Sequence, residues 1–279
     1  MFQITKREEL NPTVTRIAVK APRVAKKALP GQFIILRVDE NGERIPLTVA
    51  DTDPVAGTVT VIFQVVGAST EQLNHIAEGE CIHDFVGPLG VPTKIEGLKK
   101  VAVVGGGVGC AIAYPIAKAL HKQGTEVHSV VGFRNKDLVI LEDEFKAVSN
   151  RLCMMTDDGS YGEKGLVTDA LKALIESGEQ YDEVIVIGPL VMMKFVCKLT
   201  KEYGVKTTVS MNPVMIDGTG MCGGCRLTVG GETKFACVDG TDFDGHLVDF
   251  DEAIQRSRTY FGFERHRHEE TCNLFRGVK

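Results

Sequence analysis

Short apolar runs separated by turn-forming residues fill the first third of the chain. The runs are Thr13–Val19, Phe33–Val38, Leu47–Ala50 and Thr58–Val66, and the separators are Pro30-Gly31, Asn41-Gly42, Gly57 and Gly79. Short strands at this spacing predict a closed or nearly closed antiparallel β-barrel over residues 1–97, interrupted by one helix near Thr70–Ala77. The period then changes. The apolar strand Val101–Val104 runs into glycines 105, 106, 107 and 109 and a helical stretch, Cys110–Gln123, stopped by Gly124. Strand Glu126–Val131, helix Glu142–Ser149, strand Arg151–Thr156, helix Gly165–Ser177 and strand Glu183–Ile187 follow. Such alternation predicts a parallel α/β domain over residues 98–212. Residues 213–250 are rich in glycine and cysteine with little periodicity, so something besides an apolar core has to hold them. Residues 251–279 predict one helical arm with a charged stretch, Glu264–Glu270.

Composition narrows the function. The 279 residues suit two domains, with room for a small third, at roughly 150 residues each. Lys and Arg total 32 against 37 Asp and Glu, a net charge of −5. That balance argues against nucleic acid as a partner and gives no attraction to an anionic membrane. No apolar run approaches the roughly 18 residues of a transmembrane helix, and the charged start Met1–Glu9 is not a signal peptide. A cytoplasmic location is expected. In that reducing compartment eight cysteines do not imply disulfides. Cys81, Cys110, Cys153 and Cys197 read as buried small apolar residues. Cys222, Cys225 and Cys237 lie within sixteen residues and need another explanation.

Three constellations carry chemistry. Glycines between an apolar strand and a helix let backbone N–H groups and the helix dipole meet a phosphate. In the fingerprint G-x-G-x-x-G, Gly105 and Gly107 fit while Cys110 takes the third place, and the second strand ends Gly132-Phe133-Arg134-Asn135 without the usual ribose-binding acid. A nucleotide phosphate site and a ligand-free turn both remain open. Asp217-x4-Cys222-x2-Cys225-x11-Cys237 keeps the spacing of plant-type 2Fe–2S sites with an aspartate at the first position. Soft thiolates suit an iron–sulfur cluster or zinc, and metal-free cysteines are the third possibility. Last, Arg44, Ser69 and Thr70 are candidate phosphate donors, and the Leu47-Thr48 backbone is a candidate support for a flat ring. Turn chemistry in a barrel explains the same residues. His266, His268 and Cys272 have a ligand-like spacing but fit a charged helix or tail as well.

In their order along the chain these signatures resemble the ferredoxin–NADP reductase superfamily, in the branch with a C-terminal 2Fe–2S segment that includes the dihydroorotate dehydrogenase electron-transfer subunit. Met211–Arg226 is similar to a narrower group, the small (alpha) subunit of NADH-dependent ferredoxin:NADP oxidoreductase, also known as sulfide dehydrogenase beta subunit. The resemblance covers essentially the whole chain. It implies an FAD-binding barrel, an NAD(P)-binding domain and a cluster-binding segment. The flavin motif R-x-Y-S maps imperfectly. With its Ser on Thr48, Leu47 takes the Tyr position, Ile45 the Arg position, and Arg44 falls one residue early. The implied FAD contacts are Arg44, Pro46, Leu47, Thr48, Gln64, Val66, Gly67, Ser69 and Thr70. The implied contacts for NAD(H) are Gly106, Gly107, Val108, Gly109, Arg134, Asp157, Gly188 and Pro189, with Gly188-Pro189 at the nicotinamide. Asp217, Cys222, Cys225 and Cys237 would be the metal ligands. No side chain is implied as a catalytic acid or base.

The group further implies hydride exchange between NAD(H) and FAD, and single-electron relay through the cluster to a larger subunit carrying a second FAD and 4Fe–4S clusters. That heterodimer couples NADH and reduced ferredoxin to NADP reduction by electron bifurcation. Two rival expectations stand beside it: an electron-transfer subunit of a dihydroorotate dehydrogenase, and a nucleotide-sensing module with structural zinc. Asp217 and the forty-two residues after Cys237 disfavour the first.

Overall fold

In the computed structural model, which describes residues 1–267, seven strands form the first sheet. They are β1 (Phe2–Asn11), β2 (Val14–Lys20), β3 (Phe33–Arg37), β4 (Ile45–Asp53), β5 (Thr58–Gln64), β6 (Cys81–Ile82) and β7 (Asp84–Leu89). Every pairing in the order β6-β1-β2-β5-β4-β3-β7 is antiparallel. Only His83 separates β6 from β7, yet they occupy opposite edges, so the sheet has to curl until its edges approach. Alternation decides what fills the interior: Ile17, Val19, Ile34, Leu36 and Phe63 are buried together. Helix α1 (Pro22–Ala25) covers one side, and α2 (Ala68–Asn74) follows β5 where a helix is predicted. Strand β1 escapes the sequence pattern because Ile4 is its one fully buried residue, while Lys6, Arg7, Glu8 and Glu9 make ion pairs at the surface. Cys81 corrects an expectation: it sits on the two-residue edge strand and is exposed, whereas Cys110 and Cys197 are buried and Cys153 is half-buried.

The second sheet contains β8 (Lys100–Gly106), β9 (Glu126–Phe133), β10 (Arg151–Thr156), β11 (Glu163–Lys164), β12 (Glu183–Ile187) and β13 (Thr207–Ser210), all parallel. Helices α3 (Cys110–Lys122), α4 (Glu142–Val148), α5 (Val167–Glu176) and α6 (Leu190–Glu202) connect them. The order β11-β10-β9-β8-β12-β13 reverses direction between β8 and β12. In such sheets the crevice at the carboxyl ends of these two strands is where ligands bind. Helix α6 is an element the sequence reading omits, although Met193, Val196, Cys197 and Thr200 mark its buried face.

The glycine- and cysteine-rich segment supplies a hairpin, β14 (Arg226–Val229) and β15 (Glu232–Phe235), then α7 (Ala236–Asp239) and β16 (Asp242–Asp244), with α8 (Phe250–Ser257) after it. Gly230 and Gly231, at φ +60° and +81°, close the hairpin, a left-handed pair only glycine adopts cheaply. Strand β16 pairs antiparallel with β13, so the segment adds the last strand of the nucleotide-domain sheet. Three residues are too short to register as a strand in sequence. The barrel joins the α/β sheet through Arg16–Glu144 (2.7 Å) and Lys118–Asp51 (2.8 Å), and joins the last segment through the Val91 N–H on the Gly240 carbonyl (2.6 Å). His268 and Cys272 lie outside the described residues.

Candidate functional site

A single cleft of about 1230 Å³ runs between the barrel and the carboxyl ends of β8 and β12. That exceeds the usual volume for one drug-sized ligand, roughly 300–1000 Å³, and leaves room for two nucleotides. The structure brings most of the predicted residues to it. Pro46, Leu47 and Thr48 on β4, Gln64 at the end of β5, and Val66 and Thr70 form the barrel wall. Gly106, Gly107, Val108, Gly109, Gly188 and Pro189 form the switch-point wall, and Arg134 and Asp157 stand at its far end.

Arg44, Gly67 and Ser69 do not line the cleft. The Arg44 guanidinium donates through Nε to the Ile216 carbonyl (2.8 Å), tying the barrel to the cysteine loop. Ser69 donates to Glu43 Oε2 (2.8 Å). Thr70 Oγ1 accepts from the N–H groups of Val66 and Gly67, both 3.0 Å, and so closes the start of α2.

The glycine loop is built by close packing. A Cβ on Gly109 would lie 2.6 Å from the Ile187 carbonyl oxygen and 2.8 Å from Gly188 Cα, both backbone atoms. Gly107 has φ +55° and open space around its Cα. Where the fingerprint expects a third glycine, Cys110 is fully buried, and a Cβ on Gly105 would meet its sulfur at 2.8 Å. The close strand–helix contact is kept because Gly105, with no side chain, leaves the room that the Cys110 sulfur takes. Just past the end of β9, which lacks the usual acid, the Asp157 N–H bonds the Phe133 carbonyl (3.0 Å), which sets Asp157 beside Arg134.

Sequence reasoning missed the wall facing β4. Ser210, Met211, Asn212, Pro213, Met215 and Thr241 line it, drawn from the end of β13 and the start of β16. Met211–Met215 belong to the segment that carries the family resemblance, but nothing in their spacing ties them to the cleft, and Thr241 joins them only because β16 returns to β13.

The same stretch leads directly into the sulfur site. Cys225 and Cys237 are 1% and 2% exposed, with their sulfurs 3.3 Å apart. Two sulfurs at about 2.3 Å from one tetrahedral ion are separated by roughly 3.8 Å, so this pair is close to that spacing. Burial, with the Cys225 thiol alongside, pushes the Cys237 thiol up to about 12. A bound metal cation reverses that, because a coordinating thiol is deprotonated. Outside this inner pair lie Cys222, exposed, and Asp217. The Asp217 carboxylate accepts the N–H groups of Thr219 and Cys222, both 2.9 Å, and these bonds hold it below the usual carboxylate range. Gly218, Gly220 and Gly223, at φ +78°, +84° and +65°, wrap the loop. Three soft thiolate donors and one harder carboxylate, in an inner and an outer pair, are a donor set that suits a two-iron centre. A further cluster, Glu126, His128 and Glu179, lies at the opposite ends of the strands and is filled by the Lys100 ammonium.

Cleft and sulfur loop together define a nucleotide-linked oxidoreductase with its own iron–sulfur segment. Residues 103–198 match the family described as Oxidoreductase NAD-binding domain, and residues 212–249 match the iron–sulfur cluster binding domain of dihydroorotate dehydrogenase B. The chain belongs to the family of dihydroorotate dehydrogenase B electron transfer subunits and their homologs. A Thermotoga maritima homolog of that subunit is 49% identical, covering 92% of this chain and 91% of its own. An uncharacterized protein from the adh 3' region of Clostridium beijerinckii is 53% identical, covering 93% and 90%. A solved structure of an NADH-dependent reduced ferredoxin-NADP oxidoreductase, studied for flavin-based electron bifurcation, superposes with TM-score 0.91 at 46% identity, covering 99% and 98%. Among the described residues no helix is long and apolar enough to cross a membrane.

Proposed function

We propose that this chain is the NAD(H)-side subunit of an electron-bifurcating NADH-dependent ferredoxin:NADP oxidoreductase. It would bind FAD and NAD(H) in the cleft and a 2Fe–2S cluster on Asp217, Cys222, Cys225 and Cys237, and work in the cytoplasm with a larger flavin and 4Fe–4S subunit. Ferredoxin would be served through that partner. The observation that carries the reading is continuity: Met211, Asn212, Pro213 and Met215 line the cleft, and Asp217 follows two residues later. A hydride site and a one-electron site therefore share one stretch of backbone.

A flavin supplies both hydride and one-electron chemistry when bound, which is what a junction between NAD(H) and a cluster needs. The chain's part is placement. Leu47 and Thr48 offer the barrel wall to the flat ring, with Leu47 giving an aliphatic surface where the family motif has a tyrosine. Gly106–Gly109 and the start of α3 receive a diphosphate, and Gly188-Pro189 bounds the nicotinamide end. Arg134 and Asp157 meet the adenosine ribose. Cys225 and Cys237 would hold one iron, and Asp217 and Cys222 the outer one.

Absorption and EPR of the purified chain test this. Flavin bands and an EPR signal after dithionite reduction are expected; a chain holding zinc and no flavin would point instead to a nucleotide sensor. A second reading, a partner that is a dihydroorotate dehydrogenase, draws support from the name of the Thermotoga homolog. The identity of the larger subunit that co-purifies, a dihydroorotate dehydrogenase or a flavin and 4Fe–4S protein, separates the two. For Asp217, a carboxylate is a harder donor than thiolate. Asp217→Cys is expected to keep the cluster while shifting its potential, read by EPR-monitored redox titration. An unchanged potential and spectrum would remove Asp217 from the ligand set.

A further inference from the structure

A polar network lies behind the cleft wall that the sequence did not reveal. Ser210 and Thr241 line the cleft, are 8% and 7% exposed, and their hydroxyl oxygens are 3.0 Å apart. Behind them is the carboxyl of Asp242 on β16. Thr93 donates to its Oδ2 at 2.5 Å, the Thr241 hydroxyl lies 3.4 Å from its Oδ1, and Ser210 also bonds it. Thr241 lies 3.4 Å from the Gly31 carbonyl, two residues before Phe33, whose strand partner is Thr48. The network therefore backs the end of the cleft bounded by Leu47 and Thr48, opposite the glycine loop.

We propose that Asp242 is the proton-holding group of this end of the cleft, exchanging protons with a bound redox ring through the hydroxyls of Thr241 and Ser210. The inference rests on the functional reading above. Its chemical need follows from the balance of that reaction. NADH gives up a hydride, which is two electrons and one proton. When the two electrons continue singly toward iron–sulfur, the hydrogen is left behind as one proton per NADH. The Ser210 and Thr241 hydroxyls on the cleft wall offer that proton a path. Asp242 as carboxylate accepts it by a shift along O–H···O bonds: one N–H bond of the ring breaks, one O–H bond forms on the carboxyl, each hydroxyl gives one proton and takes one, and the same path run in reverse returns the proton to the cleft and its water when the nucleotide leaves.

The surroundings suit a group that changes charge. Among the groups packed on Asp242, Thr93, Ser210 and Thr241 are neutral donors. The charged neighbours are Glu183 on β12, itself bonded by Lys206 (2.7 Å) and Thr208, and Asp244 on β16. Burial pushes the Asp242 carboxyl above the usual carboxylate range, with the Glu183 charge adding to it and the three hydroxyls partly offsetting it. No cation pairs with Asp242 among the described residues, so its charge is free to follow the ring.

The test is the pH dependence of the flavin midpoint potential in the intact, flavin-loaded chain, compared with Asp242→Asn. If the carboxyl and the ring exchange a proton, their equilibria are linked and each shifts the other by the same factor. The wild-type plot of potential against pH is then expected to change slope above the ordinary carboxylate range, and the Asn variant to lose that change while keeping flavin and cluster. Transfer of electrons onward should fall by about 10²-fold in the variant, the usual size of a lost proton-transfer group, and Asp242→Glu should restore the slope change. Should the Asn variant fail to fold, the pair Ser210→Ala and Thr241→Val cuts the path with the carboxyl kept. Coincident potential–pH plots for wild type and variant would overturn the proposal alone. A wild-type chain that takes up no flavin would overturn the functional reading and this proposal with it.

Discussion

Cys225→Ala is expected to abolish the EPR signal of the reduced protein and its iron content while leaving flavin absorption in place. Cys225 is the deepest of the proposed ligands. Its sulfur lies 3.3 Å from Cys237 Sγ and 3.5 Å from the Cys237 N–H, so it organises both the inner pair and the start of α7. The truncation itself leaves only a small gap, about 1 kcal/mol by the usual cost of a lost core atom. The larger consequence is loss of the metal from a segment with little core of its own. Structural metal sites contribute roughly 10 kcal/mol or more to folding in small domains, so residues 212–249 should become protease-sensitive. The barrel, with its separate apolar core, should not. Reduction of bound flavin by NADH should persist, and transfer to one-electron acceptors should collapse. Iron analysis, EPR and limited proteolysis check the three parts separately. Retention of full iron content would show that Cys225 is not a ligand.

Gly109→Val is expected to weaken NADH binding by about 10- to 100-fold with flavin still bound. The added Cβ would stand 2.6 Å from the Ile187 carbonyl oxygen and 2.8 Å from Gly188 Cα. Neither can rotate away, so the start of α3 must withdraw from the end of β12. Overpacking of this kind costs about 1–3 kcal/mol. The same displacement pulls apart the two loops proposed to bound the nucleotide, and each 1.4 kcal/mol is a tenfold loss of affinity. Gly107→Ala is the informative control. Nothing lies within 4 Å of its added carbon, so only the φ of +55° is strained, at about 1–2 kcal/mol. Titration calorimetry with NADH should rank Gly109→Val well below Gly107→Ala. Equal effects would mean that backbone conformation, not loop packing, controls the site.

Much of this arrangement was legible because it is local. The segments Arg151–Thr156 and Glu183–Ile187, with their apolar stretches Leu152–Met155 and Val184–Ile187, become β10 and β12 with the bounds the pattern predicts. β12, buried along its whole length, has no alternation to confuse with anything else. The glycine cluster and the cysteine spacing are equally local, since each needs a tight backbone path within a few residues. Arg44 shows the limit of such reading. Its sequence neighbours suggest a phosphate ligand, yet its guanidinium turns to the Ile216 carbonyl, a contact spanning 172 residues. The charged strand β1 and the short strand β16 were invisible for the complementary reason, as their partners rather than their own periodicity make them strands.

The sequence by itself determined the two sheet classes, the phosphate-type loop and the ligand-like spacing of Asp217, Cys222, Cys225 and Cys237. Each of these is written within one element or one turn. Only the tertiary structure decided that β16 returns to β13. That return sets Ser210 and Thr241 opposite Leu47 and Thr48, and puts Asp242 behind them. The physical reason is range: hydrogen bonds between distant strands and the burial of a carboxyl among hydroxyls from three parts of the chain leave no period or spacing in the sequence.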